Sequence, residues 1–132
     1  MSGQFKIDIV NPEKSFLTSE EAIEVIIPAY EGEMGILSDH ISTISFLKPG
    51  ILKVINKSSD DTFFIEDGIA EFKDNCLSIL TSSIYNLNEL TRVKAEEIIK
   101  AAEKELNEDT ISDQNKYLLD QKIETLNSLN LN

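Results

Sequence analysis

Residues 25–37 read Val25-Ile26-Ile27-Pro28-Ala29-Tyr30-Glu31-Gly32-Glu33-Met34-Gly35-Ile36-Leu37. An apolar run meets a proline, a polar glycine turn follows, and an apolar stretch resumes. That order predicts a hairpin with an exposed loop inside a run of strand-like segments. The chain's single histidine, His40, lies just downstream, and Leu47-Lys48-Pro49-Gly50 supplies the next turn.

Outward from this stretch, residues 1–87 read as β. Phe5, Ile7 and Ile9 alternate with Lys6, Asp8 and Val10, a period of two. Further runs are predicted at 22–27, where Pro28 stops the strand, and at 41–47, 51–55, 62–65, 69–72 and 77–80. Asn11-Pro12, Glu31-Gly32, Pro49-Gly50, Ser59-Asp60-Asp61, Asp67-Gly68 and Asp74-Asn75 separate them. Short strands with turn signals between them point to a sandwich or barrel. From Asn88 onward there is no Gly or Pro. Ala95, Ile98, Ala102 and Leu106 fall on one helical face, with Asn88 as the expected N-cap. Asn107-Glu108-Asp109-Thr110 breaks the pattern. A second helix is expected from about Ser112, with Leu119, Ile123 and Leu126 as its stripe. The predicted fold is a mostly β sandwich or barrel over 1–87, followed by an antiparallel α-helical hairpin over 88–132, two small domains. Helices this short are marginal alone, so the hairpin reads as a detachable element that needs a surface to cover.

Composition removes several function classes. The net charge is −12, from 24 acidic and 12 basic residues. No basic cluster is present, which argues against nucleic acid and against an anionic membrane surface as partners. No apolar run reaches the ~20 residues of a membrane span, and the opening residues lack a secretory layout. The chain therefore reads as cytoplasmic, without direct membrane insertion, and suited to partners with basic or neutral polar loops. Cys76 is the only cysteine. It reads as a small core residue with no basic neighbour, rather than as a catalytic thiol.

Catalytic motifs are missing. There is no phosphate-binding glycine loop, no CxxC and no nucleophile elbow, so neither a metal nor a catalytic residue is expected. An enzyme would have to be built on His40, with Asp39 too close in sequence to face it as a triad requires. His40 reads instead as bonded to its own loop or contacting a partner. Glu31 and Glu33 read as an acid/base pair or as solvated residues at a hairpin tip. A loop with Gly32 and Gly35 can approach another backbone closely, which is the interaction reading.

Taken together, these motifs resemble the epsilon subunit of bacterial F-type ATP synthases. Residues 5–10 with Pro12-Glu13 match the family's opening strand and turn. Val25-Ile26-Ile27-Pro28 and residues 31–37 match its EGE(M/L)G signature, and His40 its histidine. Leu47-Lys48-Pro49-Gly50 matches LKPG, and Gly68-Ile69-Ala70-Glu71-Phe72 its GG-x-x-E segment. Ser38-Asp39 stands where the family has Pro-Gly, and Asp67 replaces the first glycine of the pair. The turn geometry at these two places is therefore open.

The resemblance implies a β-sandwich with a helical hairpin and a non-catalytic role in the central stalk of a proton-translocating synthase. It implies the gamma subunit and c-ring as partners, with Glu31, Gly32, Glu33, Met34 and His40 at that contact. The hairpin is implied to reach the alpha/beta catalytic head and to regulate ATP hydrolysis. The implied location is the cytoplasmic face of the bacterial inner membrane, peripheral. Some relatives bind ATP through an (I/L)DxxRA motif. The nearest match is Glu89-Leu90-Thr91-Arg92-Val93, so Glu89 and Arg92 are the candidates for a weak nucleotide contact. They also read as an i,i+3 charge pair. With Lys116 and Lys122 the only basic groups on the second helix, no cofactor is expected and ATP binding is disfavoured. The alternative is a free-standing β-sandwich that binds a ligand or protein and carries a helical appendage.

Overall fold

The computed structural model describes residues 3–132. Nine strands precede two helices: β1 (Phe5–Asn11), β2 (Lys14–Ala29), β3 (Gly32–Leu37), β4 (Thr43–Leu47), β5 (Gly50–Asn56), β6 (Asp60–Ile65), β7 (Gly68–Lys73), β8 (Cys76–Leu80), β9 (Ile84–Asn86), α1 (Arg92–Leu106) and α2 (Asp113–Ser128). The long strand β2 belongs to two layers. Its first half pairs with β1, and its second half with β3 and β5. From β1 one layer continues through β8 and β7 to β4; from β5 the other continues through β6 to β9. The β1–β8 pairing is parallel and the rest antiparallel. The result is the expected sandwich with a helical hairpin behind it.

Alternation builds the core. Phe5, Ile7 and Ile9 point inward from β1, Leu52 and Val54 from β5, Phe72 from β7, and Leu77 and Ile79 from β8, all buried in one cluster. Phe5 meets Phe72 edge to face at 5.5 Å between ring centroids, a favoured aromatic geometry.

Three sequence expectations need correction. Pro28 does not stop the second strand, which runs on to Ala29. Proline lacks only a donor, and at this point β2's neighbour changes from β5, last paired at Ile26, to β4, paired at Ala29. No ladder donor is missed there, while the Pro28 carbonyl still accepts from Lys48 N–H at 3.0 Å. Gly50 packs onto that proline: a Cβ there would stand 2.7 Å from Pro28 Cβ. Next, the glutamate-glycine stretch is mostly strand. Only Tyr30 and Glu31 form the turn, and Gly32 (φ 130°) opens β3. Finally, α1 is capped by Thr91, whose Oγ1 accepts from Lys94 N–H at 3.1 Å. Asn88 belongs to the preceding turn, where its N–H donates to Asn86 Oδ1 at 2.8 Å. Ser112 caps α2 as expected, accepting from Asn115 N–H at 3.1 Å.

The hairpin lies on the outer face of β5, β6 and β9. Ile51, Phe64 and Tyr85 stand in register across those strands, and Phe64 is fully buried beneath Leu90, Ala95 and Leu126. Ala95 and Ala102 are buried on α1, and Leu119 and Leu126 on α2, as the helical periodicity predicted.

Candidate functional site

The opposite outer face, on β1, β8, β7 and β4, has no such cover. Registers align its outward residues into rows. Phe46 pairs with Ile69, Ile69 with Leu80, and Leu80 with Val10. The next row is Ile44, Glu71, Ser78 and Asp8; beyond it Lys73, Cys76 and Lys6 follow. The face thus grades from apolar at one end to charged at the other. Phe46 is 63% exposed, Ile44 64%, Leu80 51% and Ile69 42%. A contiguous apolar patch of this kind marks an interaction surface. Tyr30, Pro12 and Thr81 wall the groove along it.

Sequence reading missed these residues because it assigned their strands to the core. The signal was present as a break in alternation. In Ile69-Ala70-Glu71-Phe72, Ile69 shares its face with Glu71, the polar side. In Leu77-Ser78-Ile79-Leu80, Leu80 shares its face with Ser78. An apolar residue with polar parity on a one-sided strand is an outward one.

The predicted contact residues do not gather at a point. Glu31 is exposed at the β2–β3 turn. Glu33 is exposed two residues on and borders a groove shared with Gln121 and Glu124 of α2. Met34 is half-buried against the core. His40 lies beyond the far end of β3, about 20 Å away at the usual rise per strand residue. Its Nδ1 lies 2.8 Å from the Ile41 carbonyl, and its ring meets Phe72 edge on at 5.8 Å. It bonds its own loop, one of the two readings left open.

Both departures from the glycine pattern are accommodated by side chains. Asp39 takes the left-handed conformation (φ 66°) that the family glycine would supply. Its N–H donates to Asn75 Oδ1 at 2.7 Å, and Asn75 Nδ2 donates back to Asp39 Oδ1 at 2.9 Å. Asn75 is itself left-handed (φ 55°). Asp67 instead uses its carboxylate: it accepts from Ser82 N–H at 3.0 Å and from the Ser82 hydroxyl at 2.7 Å.

Two further expectations change. Cys76 is half-buried rather than core, and the register sets Lys6 and Lys73 on either side of it. Lys73 reaches it across the tight β7–β8 turn and Lys6 through the parallel pairing of β1 with β8. Arg92 forms no ion pair with Glu89; its guanidinium Nη2 donates to the Leu131 carbonyl at 3.0 Å. The candidate nucleotide arginine is already engaged. Among the described residues no cluster of His, Cys, Asp and Glu is arranged to hold a metal, and no helix is long and apolar enough to cross a membrane.

Residues 4–87 match the family model described as ATP synthase, Delta/Epsilon chain, beta-sandwich domain. The chain belongs to this family. It is 58% identical over 130 residues to the ATP synthase epsilon chain of Pelagibacter ubique (strain HTCC1062), covering 98% of this chain and 100% of that one. The epsilon chain of Rhizobium etli (strain CIAT 652) is 34% identical over 130 residues, with 98% and 95% covered. The fold recurs in the Euglena gracilis mitochondrial ATP synthase structure (TM-score 0.80, 24% identity, 97% of this chain and 82% of that chain). It recurs also in the Tetrahymena thermophila mitochondrial central stalk/c-ring structure (TM-score 0.67, 16% identity, 96% and 97%). As an epsilon chain it is a non-catalytic central-stalk subunit of an ATP synthase, peripheral to the membrane part. The family's catalytic chemistry lies in other chains, which agrees with the absence of a catalytic motif from this sequence.

Proposed function

We propose that this subunit joins gamma to the c-ring in a proton-translocating F-type synthase on the cytoplasmic face of a bacterial inner membrane. The observation that carries the reading is the open apolar row Phe46–Ile69–Leu80. It is contiguous across three paired strands, exposed, and bordered by a groove. Gamma is assigned to this face. The β2–β3 turn, with Glu31, Gly32 and Glu33, is assigned to the polar loops of the c-ring, with Met34 supporting it from the core side. His40, whose ring is fixed by Ile41 and Phe72, is assigned to the gamma side. Two units divide the work, 1–87 for the rotor contacts and 88–132 for regulation. The hairpin is docked here; extended, it would reach toward the alpha/beta head and restrain hydrolysis. No nucleotide is assigned to Glu89 and Arg92.

A calorimetric titration against gamma of the same synthase tests this. We expect a tight one-to-one complex, weakened about tenfold or more by Phe46→Ser, because aromatic anchors carry a disproportionate share of an interface. Replacing Glu31 and Glu33 by Lys should leave gamma binding intact and impair c-ring attachment. Absence of gamma binding at micromolar concentration, with both proteins folded, would overturn the assignment.

A further inference from the structure

We propose that residues 129–132 form a strap that holds the helical hairpin down, with Arg92 as its anchor. Helix α2 ends at Ser128, and Leu129 turns the chain into extended conformation (φ −82°, ψ 142°). The segment then runs back past the start of α1. Arg92 N–H donates to the Asn132 carbonyl at 3.0 Å, and Arg92 Nη2 donates to the Leu131 carbonyl at 3.0 Å. The side chains of Leu129 and Leu131 pack into the cluster of Phe64, Tyr85, Leu87 and Leu90. One short segment thus ties the end of α2 to the beginning of α1, and both to the sheet.

The position of this tie matters. Residues 107–112 join the helices at one end only, so the other end is where an antiparallel pair frays. The first N–H groups of a helix have no partner within it. At α1 the Thr91 hydroxyl serves Lys94, and the Arg92 N–H is served by the strap. Closure of α1 at its first residue therefore depends on residue 132. Midway along α2 a second attachment acts on the same helix: Lys122 Nζ pairs with Glu66 Oε1 at 2.6 Å, with both side chains largely buried. The Tyr85 hydroxyl donates to Glu66 Oε2 at 3.5 Å, and Lys48 Nζ lies 3.2 Å from the Tyr117 hydroxyl. With the strap in place, release of the hairpin requires the strap, the ion pair and the apolar contact to break together. Without it, α2 can peel from its end. The docked state is then set by the chain itself and needs no bound ligand. The consequence for ATP hydrolysis rests on the regulatory reading above; the strap itself does not.

Amide hydrogen exchange on the free full-length chain tests the strap. It is compared with a variant lacking residues 129–132, with Arg92→Ala, and with Leu131→Ala, which keeps the backbone bonds. We expect the first turn of α1 and the last two turns of α2 to exchange at least about tenfold faster in the deletion, with smaller increases in the two point variants. The strands of the sandwich should exchange at unchanged rates. Unchanged α2 protection in the deletion would overturn the proposal. So would acceleration spread evenly over the sandwich, because the segment would then support the whole fold and not the hairpin. No partner is needed for this readout, so its failure leaves the rotor assignment standing, and failure of gamma binding leaves the strap standing.

Discussion

On one outer face of the sandwich, Ile51, Phe64 and Tyr85 stand in register across β5, β6 and β9 and pack under the hairpin, Phe64 fully buried and the other two partly. On the other, Phe46, Ile69 and Leu80 stand in register across β4, β7 and β8 and remain in water. The rows are built alike, three large apolar or aromatic side chains at cross-strand positions, two of them aromatic in the covered row and one in the open row. They differ in what covers them. Residues 88–132 close one face, adding a second buried cluster there, and leave the other face open. An uncovered row is a solubility liability in a free chain. On the proposed assignment, gamma covers that side in the assembled complex.

The sharpest test of this contrast pairs two truncations. Phe64→Ala, beneath the hairpin and fully buried, should cost about 3–5 kcal/mol in urea unfolding, the usual range for a buried phenylalanine. Phe46→Ala, on the open face, should change stability by less than about 0.5 kcal/mol while weakening the complex with gamma. Equal costs at the two positions would mean that the open face is covered in the free chain and would end the comparison. Next in size is Leu126→Ala, at the contact between α2 and Phe64. It should cost about 2 kcal/mol, the low end for leucine truncation, because a docked helix can shift into the space. The loss should appear as faster hydrogen exchange in α1 and α2 before any change in the strands. If strands and helices respond together, the sandwich and hairpin are one cooperative unit.

Much of this was legible in the sequence, and the exceptions share a cause. Strands whose two faces differ, such as Leu77-Ser78-Ile79, alternate cleanly, and the Ala95–Ala102 face of α1 repeats at helical spacing. Local pattern suffices there. Local pattern fails where a neighbour decides. Pro28 is tolerated because the strand beside it changes at that residue. Cys76 gains Lys6, seventy residues away in sequence, only through sheet register. Thr91 outcompetes Asn88 as the cap because Asn88 is drawn into the turn on Asn86. The site was half legible: the turn at Glu31-Gly32 and the single histidine stand out in any reading. The row Phe46–Ile69–Leu80 comes from three separate strands and is assembled only by their pairing.

A smaller effect tests the clasp at the edge of the open face. Asn75→Ala removes both hydrogen bonds to Asp39 and places an alanine at φ 55°. The expected cost is about 1–2 kcal/mol, from the lost bonds together with left-handed strain. Asn75→Gly should recover the strain portion only, so the alanine–glycine difference in urea midpoint separates the two contributions. A glycine variant as stable as the parent would show that the reciprocal bonds contribute nothing.

The smallest effect at neutral pH concerns the covered face. Burial holds the Tyr85 phenol above its ordinary value, with the Glu66 charge and the hydrogen bond to it adding in the same direction. The folded chain therefore keeps this proton longer than the unfolded chain does. The stabilisation is complete below the unfolded value near 10 and is lost as pH rises from there through the raised folded value. Through this group, hairpin docking should weaken in that alkaline window. Tyr85→Phe should flatten the loss, while changing neutral-pH stability by less than about 0.5 kcal/mol, since the bond it removes is long. Phenolate absorbance supplies the readout: a late-titrating component should be present in the parent chain and missing from the phenylalanine variant. Absence of that late component from the parent chain would mean that water reaches Tyr85. The face under the hairpin would then be no more closed than the face opposite, and the distinction between them would fall.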